Sequence, residues 1–146
     1  MAPYEPVRPD GYYSEAGQAE RIADLLARTA QDLVYGFVVL DEGEIAGRIT
    51  LSEVVRGPLQ GANVGYWVDV RRNGRGLATR ALAALLETAF GELGLHRVGA
   101  CTRLENHASQ RVLAKNGFTR IGIARRHLFV GGEWRDQILF ERLADD

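Results

Sequence analysis

The stretch Asp69-Val70-Arg71-Arg72-Asn73-Gly74-Arg75-Gly76-Leu77-Ala78-Thr79 decides how the whole chain is read. Before it, Val64, Tyr66, Val68 and Val70 alternate, which predicts a strand over 62–70 with those four on one face. After it, Leu77, Ala78, Ala81, Leu82, Leu85, Leu86, Ala89, Phe90 and Leu93 recur at helical spacing and predict a long helix that Gly94 terminates. A glycine-rich bend therefore opens a helix. The N–H groups of a first helical turn lack partners, the positive end of the helix dipole stands behind them, and glycines let a phosphate approach the backbone. Arg71, Arg72, Arg75 and Arg80 add positive charge nearby. The segment points to a phosphate-bearing ligand, with a plain strand-to-helix turn as the alternative.

Two common nucleotide signatures fail here. The dinucleotide fingerprint needs a third glycine where Thr79 stands and an acidic ribose partner near Gly94. The mononucleotide loop needs a lysine followed by Ser or Thr, and the only lysine is Lys115.

Working outward, residues 1–13 hold three of the four prolines and predict an arm or entry loop. Ser14 caps a helix whose apolar face, Ile22, Leu25, Leu26, Thr29, Ala30 and Leu33, ends near Asp32. Residues 35–40 and 45–55 read as a hairpin closed by Asp41, Glu42, Gly43 and Glu44, and the strand over 62–70 makes it a meander. Beyond the long helix come a strand over 97–104, a short helix over 106–116 closed by Gly117, and a strand from Phe118. Strand, helix, strand, helix, strand is a crossover unit. A last hairpin pairs 128–130 with 136–143 through Gly131 and Gly132.

With 146 residues, 46% of them apolar and 25% charged, the chain reads as one domain over 1–146. Eighteen basic against nineteen acidic residues, with no basic tail, argue against a nucleic-acid partner. No apolar run is long enough for a membrane span and the start lacks a signal-peptide layout, so a cytoplasmic protein is expected. Cys101 is the only cysteine, which excludes a disulfide framework, and His96, His107 and His127 have no metal spacing, so no metal is expected.

These residues resemble a family. Asn73-Gly74-Arg75-Gly76-Leu77-Ala78 is similar to the pyrophosphate loop of the GNAT superfamily of N-acetyltransferases; Gly76 and Ala78 match its pattern, and Asn73 departs from the Arg or Gln preferred at its first position. The block from Glu105 to Phe118, with Asn106, Ser109 and Gly117, resembles the family's Asn-containing helix followed by Gly-Phe. Gly65-Tyr66-Trp67-Val68-Asp69 and Gly132-Glu133-Trp134-Arg135-Asp136 look most like the branch of ribosomal-protein-alanine N-acetyltransferases. The resemblance implies an α+β fold with a mixed, mostly antiparallel sheet flanked by helices, here without the branch's first strand and helix.

It also implies acetyl-CoA as cosubstrate, held by Val68, Asp69, Val70, Asn73, Gly74, Arg75, Gly76, Leu77, Ala78 and Thr79, with Asn106 and Ser109 on the pantetheine arm. The acceptor it favours is a protein N-terminus, such as that of a ribosomal protein. A polyamine, an amino acid or an aminoglycoside is the other enzymatic reading, and a CoA sensor without turnover is a third. A homodimer stays open.

For the base, strand alternation places Glu53 on the face of Ile45, Ile49 and Leu51, partly desolvated, unless a bulge near the strand end turns it to water. Glu105 is a second choice. Many relatives carry a Tyr seven residues after the helix Asn to protonate sulfur; that position is Leu113, so Ser109 is the substitute acid. Tyr66 and Trp67 are candidates to line the acceptor pocket, and Cys101 reads as packing within a strand.

Overall fold

Ser14 opens the first helix, its hydroxyl accepting the amide of Gly17 at 3.0 Å. The computed structural model describes residues 14–72 and 74–146; the expected arm over 1–13 and Asn73 lie outside them. The helix, α1 (Glu15–Ala30), stops two residues before the expected end because Asp32 turns into the left-handed region at φ 61. Its Leu25 lies against Gly36, where a Cβ would meet Leu25 Cδ2 at 2.7 Å, so the glycine sets how closely the helix approaches the first strand.

Asp32 also ties three loops together. It accepts Arg56 Nε at 2.7 Å and the Tyr35 hydroxyl, while Arg56 Nη1 reaches the Leu93 carbonyl at 2.6 Å. The Arg56 and Tyr35 hydrogen bonds hold the Asp32 carboxyl at about 2, below its ordinary 3.8. A depressed carboxyl contributes stability that is complete above its unfolded value and lost as pH falls through the folded one. Melting temperature is therefore expected to decline as pH drops from about 4 toward 2. Asp32→Asn, which tolerates the same φ, should show a shallower decline in a pH series of thermal melts; an unchanged slope would discount the pair.

The sheet comprises β1 (Tyr35–Asp41), β2 (Glu44–Val55), β3 (Gly61–Val68), β4 (Arg97–Arg103), β5 (Thr119–Val130) and β6 (Glu133–Leu143). Their order is β1-β2-β3-β4-β6-β5. Only β3 and β4 run parallel, joined by the crossover through α2 (Leu77–Phe90); β6 inserts between β4 and β5, so α3 (His107–Lys115) crosses over it. The expected mixed, mostly antiparallel sheet with flanking helices is the one observed.

Other boundaries differ from expectation as well. β3 ends at Val68, and Val70, 74% exposed, opens a 3-10 turn over Val70–Arg72 instead of continuing the face of Tyr66. α2 stops at Phe90, short of Leu93: Gly91 follows it, where a Cβ would lie 2.7 Å from the Glu87 carbonyl, and Gly94 belongs to the loop beyond. Asn106 and Asn116 flank α3 as caps rather than forming its ends. The last hairpin is longer than predicted, starting β6 at Glu133, because left-handed Gly131 and Gly132 turn the chain without breaking the ladder.

The core lies between the sheet and α2, with Leu51, Leu82, Leu95, Val98 and Leu113 fully buried. Among the described residues no helix is long and apolar enough to cross a membrane.

Candidate active site

Where β3 ends, the Asp69 amide donates to the Ala46 carbonyl at 2.7 Å and the chain turns sharply. The Asp69 carboxylate accepts the Arg71 amide at 3.0 Å and Arg71 Nη2 at 2.7 Å, which hold it at about 2. Arg72 Nη1 and Arg75 Nη1 both reach Asp41 Oδ2, at 2.8 and 2.9 Å, and this contact lowers the Asp41 carboxyl. Three of the four expected phosphate-facing arginines are thus anchored to carboxylates. Arg80 instead donates Nη2 to the Arg75 carbonyl at 3.1 Å, folding back over the bend. The positive charge is more a brace for the loop than a free cluster, and Asp41, which the sequence presents as a turn residue, closes that brace.

Gly74 and Gly76 sit at φ 83 and 72, and a Cβ on either would meet nothing within 4 Å. Their conformation, not packing, demands glycine, and the space outside them is open. Gly76 is the N-cap of α2, and among the described residues no side chain caps the helix. Among those residues the amides of Leu77, Ala78 and Thr79 therefore stand at a helix N-terminus without a side-chain partner, the arrangement that suits an anion.

A cleft opens between β3 and β4. The two strands pair only at Gly61/Arg97, Ala62/Val98 and Asn63/Gly99, then part. The cavity there, about 190 Å³, is lined among others by Tyr66, Cys101, Thr102, Asn106, Ser109 and Gln137. Asn106 Oδ1 accepts the Ser109 amide at 3.2 Å, which caps α3 and fixes the serine at its first turn. The Ser109 and Tyr66 hydroxyls share a hydrogen bond of 2.7 Å, and burial pushes the Tyr66 phenol up. Leu113, which stands at the position of the resembled family's tyrosine, is 1% exposed and belongs to the core.

A helix entered through an uncapped glycine bend, beside a gap between parallel strands, is matched by a family model described as an acetyltransferase (GNAT) domain, over residues 2–119. The chain belongs to the GNAT acetyltransferase family. Probable N-acetyltransferase YjcK of Bacillus subtilis is 37% identical over 142 residues, covering 96% of this chain and 78% of that protein. Ribosomal protein uS5-alanine N-acetyltransferase of Escherichia coli is 30% identical, covering 95% and 73%. Among solved structures, Mycobacterium smegmatis RimJ in complex with CoA-disulfide superposes with a TM-score of 0.94 at 36% identity, covering 98% of this chain and 70% of that one.

In this N-acetyltransferase the remaining candidates are distributed unevenly. Glu53 is not on the face of Leu51. A bulge between Ser52 and Val55, with Glu53 at φ 52, gives the next core position to Val54 and leaves Glu53 exposed. There Asn63 Nδ2 donates to Glu53 Oε2 at 3.0 Å. The expected partial desolvation is absent; the residue stands at the point where β3 and β4 part. Nearby, Cys101 is exposed rather than packed, and its surroundings together with the Glu53 charge push its thiol up.

Trp67 alternates away from Tyr66, is exposed and does not line the cavity, so the two aromatics do not share a pocket. Glu105 is exposed and occupied by Arg103 Nη2 at 2.5 Å. Val68 remains half-buried at the end of β3, opposite Gly47.

Two cavity residues escaped the sequence reading. Thr102 and Gln137 are each 3% exposed, and neither Thr102 Oγ1 nor Gln137 Nε2 has a hydrogen-bond partner among the described residues. Polar residues within strands look solvent-facing in a sequence, and nothing local marks these two as buried. Asn116 was read only as a helix end; its Nδ2 bonds the Thr79 carbonyl at 3.2 Å, docking α3 against the first turn of α2.

Proposed function

We propose that this acetyltransferase moves acetyl from acetyl-CoA directly to the α-amino group of a protein N-terminus, with ribosomal proteins in the cytoplasm as the acceptor class. The observation that carries the reading is the cavity where β3 and β4 part, which holds Ser109 and Tyr66, in a sheet whose β3 leads into the glycine bend at the start of α2. Resemblance to a uS5-alanine N-acetyltransferase along 95% of the chain supports the acceptor.

In this proposal the amides of the glycine bend and of Leu77, Ala78 and Thr79 hold the diphosphate, and Asn106 and Ser109 flank the pantetheine arm. An α-amino group, with pKa about 7.7 to 8.0, is partly neutral at cellular pH, so a weak base suffices, whereas a lysine at about 10.4 needs more help. As the amine nitrogen bonds to the thioester carbon, the N–H of Val68 stabilises the negative charge on the carbonyl oxygen. Glu53, steadied by Asn63 and open to water, accepts the proton lost by nitrogen. When the carbon–sulfur bond breaks, the Ser109 hydroxyl, hydrogen-bonded to Tyr66, supplies the proton to sulfur. Oxygen on Ser109 then regains a proton from solvent.

The test is release of free CoA when the purified protein and acetyl-CoA meet a library of peptide N-termini, polyamines, amino acids and aminoglycosides. Release with N-terminal peptides is expected. Release confined to small amines would move the acceptor, and binding of acetyl-CoA without release anywhere would make the protein a sensor.

A further inference from the structure

The described residues leave two buried hydrogen-bonding groups in one cavity without a protein partner, Thr102 Oγ1 and Gln137 Nε2. A buried polar group that gives up water and gains no bond costs free energy, so a pair of them at a ligand cleft marks where bound molecules place polar atoms. The sheet register separates the two. Thr102 pairs with Ile138, whose face carries the core against the helices; Gln137 pairs with Arg103, two steps along from Cys101 and four from Gly99. Gly99 lies beside Asn63, the residue holding Glu53, and a Cβ on Gly99 would come within 2.6 Å of Asn63 Oδ1. Thr102 is thus on the side of Ser109 and Tyr66, and Gln137 on the side of Glu53 and Asn63. Residues of both faces line the cavity at the gap where β3 and β4 part, with Glu53 and Asn63 outside its lining.

We propose that Gln137 is an acceptor-specificity residue, its Nε2 donating a hydrogen bond to the carbonyl oxygen next to the amine being acetylated. This rests on the reading of the cleft as the acetyl-transfer site and narrows its acceptor. The available group is a donor, and its complement is an oxygen acceptor. A peptide N-terminus or an amino-acid amide presents such an oxygen three bonds from the amine nitrogen, on the first carbonyl. A protonated polyamine presents only N–H donors and would leave Nε2 without an acceptor. Val130, 5% exposed, and Leu128 line the same cavity and supply an apolar wall around that bond.

The experiment compares a short alanine-first peptide with an analogue whose first peptide bond is a trans-alkene, which keeps the shape and removes the oxygen. Wild-type protein is expected to favour the peptide by about 10- to 100-fold in kcat/KM. Gln137→Leu should erase that preference by lowering kcat/KM for the peptide alone, while KM for acetyl-CoA stays within about twofold. Its melting temperature should hold, since an apolar side chain replaces an unpartnered amide. Gln137→Met provides the same comparison if the leucine variant does not fold.

Equal turnover of peptide and alkene by wild type overturns the proposal. So does a Gln137→Leu variant that loses both substrates alike, loses neither, or raises KM for acetyl-CoA. Wild-type activity on amino-acid amides but not on protein N-termini would refute the N-terminal reading and leave this one standing. Activity on carbonyl-free amines alone would refute both.

Discussion

A Gly76→Asp variant is expected to lose at least about 100-fold in affinity for acetyl-CoA, measured by calorimetric titration, while keeping its fold. Gly76 is the cap of α2, and the added carboxylate would stand among the bare amides that we assign to the diphosphate. Bringing like charges together costs several kcal/mol, enough for that loss. The structural cost is smaller. Nothing lies within 4 Å of a Cβ at this position, and the strain of a non-glycine residue at φ 72 is roughly 1–2 kcal/mol. Gly76→Ala carries the same backbone strain without the charge and should bind far better than the aspartate variant. If both bind like wild type, the loop does not hold the diphosphate.

A Glu53→Gln variant should turn over about 100-fold or more slowly, with the acetyl-CoA dissociation constant unchanged. Its side-chain oxygen can still accept from Asn63 Nδ2, so the 3.0 Å contact and the bulge survive while the capacity to take a proton disappears. Glutamine at φ 52 is strained no more than glutamate, which keeps stability out of the comparison. The readout is kcat for a peptide acceptor with and without a small external carboxylate: the glutamine variant should be slow alone and gain rate as the carboxylate is added, while the wild type does not. A rate equal to wild type near neutral pH would remove Glu53 from the reaction.

The glycine bend that opens α2 was legible because two independent signals meet there, the glycines at 74 and 76 and the change from two-residue to helical periodicity at Leu77. For Glu53 the sequence left two placements open, and the structure takes the second: alternation would need an unbroken ladder, and one bulge gives the next core position to Val54. The local cue was present: Ser52 and Glu53 are two consecutive polar residues between Leu51 and Val54. A core that resumes after three steps instead of two implies an extra residue. The end of α2 was overrun because Leu93 continues the apolar period after Gly91 has already ended the helix. Partnerships between distant residues were beyond reach. Arg72 and Arg75 with Asp41, or Ser109 with Tyr66, depend on how the sheet brings segments more than thirty residues apart into contact.

The short parallel seam between β3 and β4 gives the molecule an unusual mechanical character. Past Asn63 and Gly99 each strand turns an unzipped margin toward the other, with peptide groups that no neighbouring strand satisfies. On the proposed reading, a long cosubstrate lying in that opening would replace the missing rungs and act as a wedge that also splices the two halves of the sheet. Ligand occupancy and folding free energy are then linked by mass action, contributing about 2.7 kcal/mol at a concentration 100 times the dissociation constant. Saturation with cosubstrate would make the protein stiffer as well as ready to react.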